Sequence, residues 1–254
     1  MNIEKEEELF RKRILELERL ADRRYCPVYS DFLNMNEISV FLMLGKELSG
    51  VPYTMYGGYD GAERKMVCFH GDGGEDERSG YPIACVHIRP ANAKFSDALT
   101  HRDYLGAILN LGIDRCKTGD ILIRSNEAYL FCHESIADFI CDTLVQVRHT
   151  VIRAERTDAA QAGIEPEYQE IAGTLSSVRL DSMISLAFHE SRSSLTDAIA
   201  AGRVFVNGRV VTSNSFSPKE GDIISVRGLG RFRFEGTGSR SKKGRIGVTL
   251  LKYI

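Results

Sequence analysis

The sequence predicts an α+β protein of three small domains in series, and three observations carry that prediction. Between residues 81 and 155 the apolar residues switch between alternate and helical spacing in the order β-α-β-β-α-β. From Ser191 to Val211 a capped helix runs straight into a hairpin with an Asn-Gly turn. Residues 71–80, GDGGEDERSG, are acidic and glycine-rich without a large apolar side chain, so they mark a boundary between two folded segments. The expected domains span 1–75, 76–160 and 176–254.

The first domain opens with an amphipathic helix over 3–20, where Ile3, Phe10, Ile14, Leu17 and Leu20 recur at helical spacing among Glu and Arg. A second helix starts at Asn34, which forms a capping-box pattern with Glu37 ahead of Ile38, Phe41, Leu42 and Leu48. The strand-like runs VPYTMYGGY (51–59) and RKMVCFH (64–70) complete a small mixed α/β domain.

In the central domain the predicted elements are a strand over 81–89, a helix over 97–111, strands over 116–124 and 127–132, a helix over 134–145 and a strand over 147–155. That order is the ferredoxin-like α/β plait, an RNA-recognition-motif-like arrangement that many unrelated domains also use. Its first strand, IACVHIRP, lacks the aromatic cluster on which such sheets stack bases, and Tyr129 and Phe131 substitute only in part. Residues 156–175 read as a connector.

In the third domain Ser191 is placed to cap a helix with Arg192 in its first turn and Leu195, Ala198 and Ile199 on one face. Gly202 ends that helix, Val204 and Val206 alternate with polar neighbours, and Asn207-Gly208 suits the two positive-φ positions of a type I′ turn. RGLGRFRFEG (227–236) reads as a strand of alternating basic and aromatic residues, GTGSRSKKGR (236–245) as a mobile basic loop, and IGVTLLKYI as the final strand.

The 254 residues carry a net charge of −2, which hides an asymmetry. From Ser176 onward there are 13 Lys and Arg against 6 Asp and Glu, a balance of +7, while the preceding residues carry 20 against 29, a balance of −9. Polyanion binding is therefore expected at the C-terminal end. No eighteen-residue apolar run exists and the N-terminus is charged, so neither export nor a membrane is expected and the chain is placed in the cytoplasm. The six cysteines form no C-x-x-C pair and fall mainly in apolar or strand-like runs, as expected of buried reduced thiols. Cys132-His133 is the one adjacent ligand pair; without further spacing it predicts no metal, and no cofactor is expected.

Arg179-Leu180-Asp181, Ser191-Arg192-Ser193, Gly202, Val204, Val206-Asn207-Gly208 and Gly221-Asp222, in that order, resemble the S4 (alpha-L) RNA-binding domain. With HRDYLGAILNLGIDRCKTGDILI (101–123), GGYDGAERKM (57–66) and SKKGRI (241–246), the chain resembles the YlmH family of bacterial RNA-binding proteins over nearly its whole length. The resemblance implies association with the large ribosomal subunit carrying obstructed peptidyl-tRNA, in ribosome-associated quality control, and an older link to cell division. It makes rRNA and tRNA the expected partners of a monomer. By resemblance the RNA-contacting residues are Arg179, Ser191, Arg192, Ser193, Arg203, Asn207 and Arg209, with Arg231, Arg233, Lys242, Lys243 and Arg245 as electrostatic support. An arginine fork grips phosphate bidentately, and a helix N-terminus adds partial positive charge. Asp181 is expected to pair with a basic neighbour or to cap its helix.

S4 domains also accompany enzymes, so a pseudouridine synthase or RNA methyltransferase is the rival reading, and a division-linked protein scaffold is a third. Arg179-Leu180-Asp181 matches the letters of a pseudouridine synthase triplet but opens the S4 motif instead. No G-x-G-x-x-G after a strand, no G-x-x-x-x-G-K-[ST], no H-E-x-x-H and no G-x-S-x-G is present. His101-Arg102-Asp103 resembles a kinase triplet by letters alone, without the asparagine and glycine-rich loop that phosphoryl transfer uses. The expectation is a binding protein with no catalytic residues.

Overall fold

Helix α1 (Ile3–Arg24) buries Ile14 and Ala21 and is followed by strand β1 (Pro27–Tyr29), which the sequence pattern did not announce. It runs past the predicted end because Ala21 continues the buried stripe one turn further. Helix α2 (Met35–Met43) is capped as expected: Asn34 Oδ1 accepts from the N–H groups of Asn36 (2.9 Å) and Glu37 (3.1 Å), and Glu37 accepts from Asn34 N–H at 2.7 Å. It stops at Met43 and gives way to a 3-10 turn over Leu44–Lys46, so Leu48 lies outside the helix. Strands β2 (Tyr53–Tyr56) and β3 (Met66–His70) form an antiparallel sheet ordered β1-β3-β2, with every residue of β3 buried.

The computed structural model describes residues 3–74, 80–92, 97–158, 163, 168–241 and 244–253, the side chains of residues 3, 4, 46 and 192 excepted. The chain divides into two units, Met1–Glu37 with Met43–Glu165, and Ile38–Leu42 with Pro166–Ile254.

The first unit continues with β4 (Ile83–Pro90), α3 (His101–Leu109), β5 (Thr118–Arg124), β6 (Glu127–His133), α4 (Glu134–Thr143), β7 (Gln146–Val147) and β8 (Thr150–Thr157). The sheet order β5-β6-β4-β8, antiparallel throughout, is that of the ferredoxin-like plait, and β7 extends it as a short edge hairpin. Helix α3 opens at His101, four residues later than predicted, because Asp103 Oδ2 accepts from both Thr100 N–H (2.8 Å) and Thr100 Oγ1 (2.7 Å) and fixes Thr100 as the cap. Both helices pack on one sheet face, where Val86, Ile88, Tyr104, Ile108, Leu130, Ala137 and Ile140 form a fully buried core.

The second unit sets two helices against one face of a six-stranded sheet. Helices α5 (Leu180–Phe188) and α6 (Arg192–Ala200) precede β10 (Val204–Val206), β11 (Arg209–Val210), β12 (Ile223–Val226), β13 (Gly230–Arg240) and β14 (Ile246–Tyr253). The expected connector is corrected here: Tyr168–Leu175 is strand β9, paired residue for residue with β14 from Tyr168↔Tyr253 to Leu175↔Ile246. The sheet order is β11-β10-β12-β13-β14-β9. Its inner face buries Val204, Val206, Ile224, Phe232, Phe234 and Leu250 against Leu180, Met183, Ile184, Leu195 and Ile199 of the two helices. Each such side chain contributes about 1.5–3 kcal/mol. The expected basic loop begins later than predicted, since β13 continues to Arg240.

Candidate nucleic-acid interface

The hairpin of β10 and β11 turns on Asn207 and Gly208, whose φ values of 50° and 79° are those a type I′ turn requires. Asn207 does more than turn the chain. Its Nδ2 donates to Asp222 Oδ1 at 2.8 Å and its Oδ1 accepts from Ile223 N–H at 2.9 Å. Asp222 Oδ2 in turn accepts from Lys219 N–H at 2.7 Å. Both ends of the amide thus help pin the hairpin to β12, so Asn207 has a scaffold role beside the RNA contact expected of it.

Arg179 stands immediately before α5 and presents Nε and Nη2 to the two oxygens of Asp181 at 3.2 and 3.1 Å. Asp181 Oδ1 also accepts from Ser182 N–H at 2.8 Å, so it pairs with Arg179 and satisfies a free N–H of the first turn, while the cap position itself is held by Arg179 without a side-chain bond. At α6, Ser191 Oγ accepts from Ser194 N–H at 3.3 Å and lies 3.1 Å from Ser193 Oγ, which confirms the cap. Arg192 opens that helix, its side chain outside the described atoms, and Lys242 and Lys243 lie outside the described residues.

Of the remaining arginines, Arg203, Arg227, Arg231 and Arg233 lie on the opposite, outer side of the sheet, whereas Arg209 pairs with Val206 and so stands on the helix-facing side. Phe232 and Phe234 point into the core, so alternation turns Arg231 and Arg233 outward. Arg231 lies over the ring of Tyr253 at 4.2 Å, and Arg233 over Tyr168 at 5.5 Å while bonding Glu235 at 3.0 Å. Arg203 and Arg227 adjoin at the end of β10 and β12, where Arg227 N–H donates to Arg203 O at 2.9 Å, and both are exposed. Arg227 was missed in the sequence because it falls between a strand and a turn; its pairing with Arg203 becomes visible only through the register. Arg209 is exposed on β11, and Arg245 binds Thr174 through Nε to Oγ1 (3.1 Å) and Nη2 to O (2.5 Å). The expected residues therefore fall into two groups, one at the helix N-termini and one on the outer sheet face, with Arg209 apart at the hairpin on the helix-facing side and Asn207 and Arg245 also bonded within the domain.

In the central domain the outer sheet face is partly closed. Tyr59 stacks on Phe131 at 4.9 Å and leaves it 1% exposed, so Phe131 offers no surface to a base. His87 stacks on Tyr129 at 4.6 Å, and His87 Nε2 meets Glu127 at 2.7 Å. The closure is held by Asp120, which accepts from Tyr59 OH (2.8 Å), Glu63 N–H (2.7 Å) and Arg64 N–H (3.1 Å). Arg64 then donates to the carbonyls of Thr118 (2.8 Å), Phe32 (3.1 Å) and Arg115 (3.1 Å). Burial and the neighbouring Arg64 charge bring Arg115 down to about 10, still far above neutrality, so Arg115 stays charged. Residues 59–64 and 115–120 thereby form a structural joint.

Cys132 points into the core and His133 outward, where its Nδ1 accepts from Ser135 N–H at 3.2 Å to cap α4. Successive strand residues face opposite ways, so the pair cannot grip one ion. Among the described residues no group of three His, Cys, Asp or Glu side chains is arranged to hold a metal, and no helix is long and apolar enough to cross a membrane.

A family model described as "Putative RNA-binding domain in YlmH" matches residues 77–161, and the S4 domain model matches 178–224. Over 246 residues, covering 96% of this chain and 95% of the relative, the chain is 31% identical to "Ribosome-associated protein quality control protein P2" of Bacillus subtilis (strain 168). The chain belongs to the YlmH family. Among solved structures, "Cell division protein ylmH from Streptococcus pneumoniae" matches with a TM-score of 0.52 and 23% identity, covering 63% of this chain and 95% of that one. That likeness shows the YlmH fold.

Proposed function

We propose that this YlmH-family chain is a non-enzymatic, cytoplasmic RNA-binding protein that acts as a single copy on the large ribosomal subunit, contacting rRNA and tRNA in the quality control of stalled nascent chains. The observation that carries the RNA reading is the arginine-lined S4 fold at the end of the chain whose charge balance is +7. The name of the Bacillus subtilis relative supports the ribosomal part, since identity runs along nearly the full length of both proteins.

Arg192 in the first turn of α6, with Ser191 and Ser193 beside it, is the first phosphate contact to test, and Arg203, Arg209, Arg227, Arg231 and Arg233 are the supporting charges. A charge-assisted contact is worth about 1.5–3 kcal/mol, so Arg192→Ala should weaken RNA binding about ten- to a hundredfold. It should also flatten the log–log salt dependence by about 0.7–0.9. Binding isotherms at several salt concentrations, with sedimentation on purified large subunits, read both effects. A folded Arg192→Ala protein with unchanged affinity and slope places the RNA elsewhere, and a parent protein that never sediments with vacant or tRNA-bearing subunits ends the ribosomal reading.

A further inference from the structure

The helical side of the central domain carries a groove that the S4 residues leave unused. It lies between α3 and the turn from α4 into β7, with a volume of about 590 Å³. Sites for small ligands typically occupy about 300–1,000 Å³. Ala107 and Val145 supply apolar walls, and Val145 is 63% exposed, unusual for a valine held beside a packed core. Arg102, from the His101-Arg102-Asp103 triplet, and Arg148, at the tip of the β7–β8 hairpin, both line the groove and are exposed.

Arg148 sits at a φ of 53°, a left-handed conformation that costs an ordinary side chain about 1–2 kcal/mol and that glycine adopts freely. The single carboxylate of the lining, Asp103, has one oxygen committed to Thr100 and the other 3.6 Å from Arg148 Nη1. The groove is thus locally basic on a part of the chain whose overall balance is acidic.

We infer that this groove takes one unpaired nucleotide of an RNA, with its phosphate on Arg102 and Arg148 and its base against Ala107 and Val145. The inference rests on the reading of the chain as an RNA-binding protein. A nucleobase combines apolar faces with a polar edge and a neighbouring anion, and the groove answers each: walls for the faces, the rim residue Asn110 for the edge, and paired arginines for the phosphate. An acidic peptide would use the arginines and leave the walls idle. The sheet face that a plait offers to bases is closed at Phe131 by Tyr59, so the helical side is where the domain keeps room.

The test is a titration of the isotope-labelled full chain with a single-stranded RNA hexamer, tracking backbone amides and affinity together. The hexamer should shift the amides of Ala107, Asn110 and Val145. Arg102→Ala and Arg148→Gly should each weaken its binding about tenfold. Arg148→Gly should melt no lower than the parent, because glycine suits the turn, which separates a ligand contact from a structural one. Shifts confined to residues 179–245 overturn the groove and leave the RNA reading standing. No shifts anywhere, with no sedimentation on large subunits, overturn both. A hexaglutamate peptide that shifts the groove amides as strongly as the RNA makes the site a peptide site and sinks the inference, as do groove variants that bind the hexamer normally.

Discussion

Replacing Asp120 with alanine should be among the most damaging single changes outside the apolar cores. Its carboxylate accepts from Tyr59 OH, Glu63 N–H and Arg64 N–H at 2.7–3.1 Å, and so ties the loop over 57–66 to β5. A hydrogen bond to a charged group is worth about 1.5–3 kcal/mol, and three that share one carboxylate do not add fully, so about 3–5 kcal/mol is expected. For a unit of this size one kcal/mol moves the melting temperature by about 2–4 °C, which makes the loss about 10 °C. Asp120→Asn keeps one acceptor oxygen but turns an NH₂ group toward donors, so it should fall between parent and alanine. Scanning calorimetry of the three proteins decides the matter. A shift below about 3 °C for Asp120→Ala, or an asparagine variant that melts with the parent, would refute the claim that this carboxylate holds the joint.

Asn207→Ala should cost about 2–3 kcal/mol, from two lost hydrogen bonds and the left-handed backbone, and urea unfolding monitored by circular dichroism measures it. Gly58→Ala should lower the melting temperature sharply, because φ is +100° there and a Cβ would lie 2.2 Å from the Phe131 ring. At high pH the buried thiols set a slope. Burial pushes Cys85 and Cys132 up to about 12, so as pH rises above about 9 the unfolded thiols ionise and the folded ones do not. Stability contributed by each thiol is intact below pH 9 and declines toward pH 12 by at most about 1.4 kcal/mol per pH unit. Cys85→Ala should flatten that slope in a denaturant series run at pH 8–11, and an unchanged slope would count against the burial argument.

The elements with strong local signals were legible in the sequence. The Asn34 cap and the Ser191 cap were readable because each is set by a few adjacent residues, as was the Asn207-Gly208 turn. The plait was readable because its strands and helices are short and strictly periodic. The features that escaped are set by pairing over distance. β9 carries Glu170, Gly173 and Thr174, and nothing local marks it as a strand; only the partnership with β14 does. The scaffold bond of Asn207 escaped because its partner Asp222 is fifteen residues away. Tyr59 and Asp120 are 61 residues apart, so no pattern announced that one plait aromatic would be covered from within the chain.

The pairing of β9 with β14 also imposes a schedule on synthesis. Leu175 and Ile246, which open the ladder, are separated by all of α5, α6 and four strands. At about 5–20 residues per second, β9 waits roughly 4–14 s after translation before its neighbour exists. Throughout that interval it is an edge without a sheet, free to pair with any other extended segment. Its charged and glycine-containing sequence, YQEIAGTL, is poorly suited to self-association, and that poverty of β-propensity, which hid the strand from sequence reading, is what lets it wait safely.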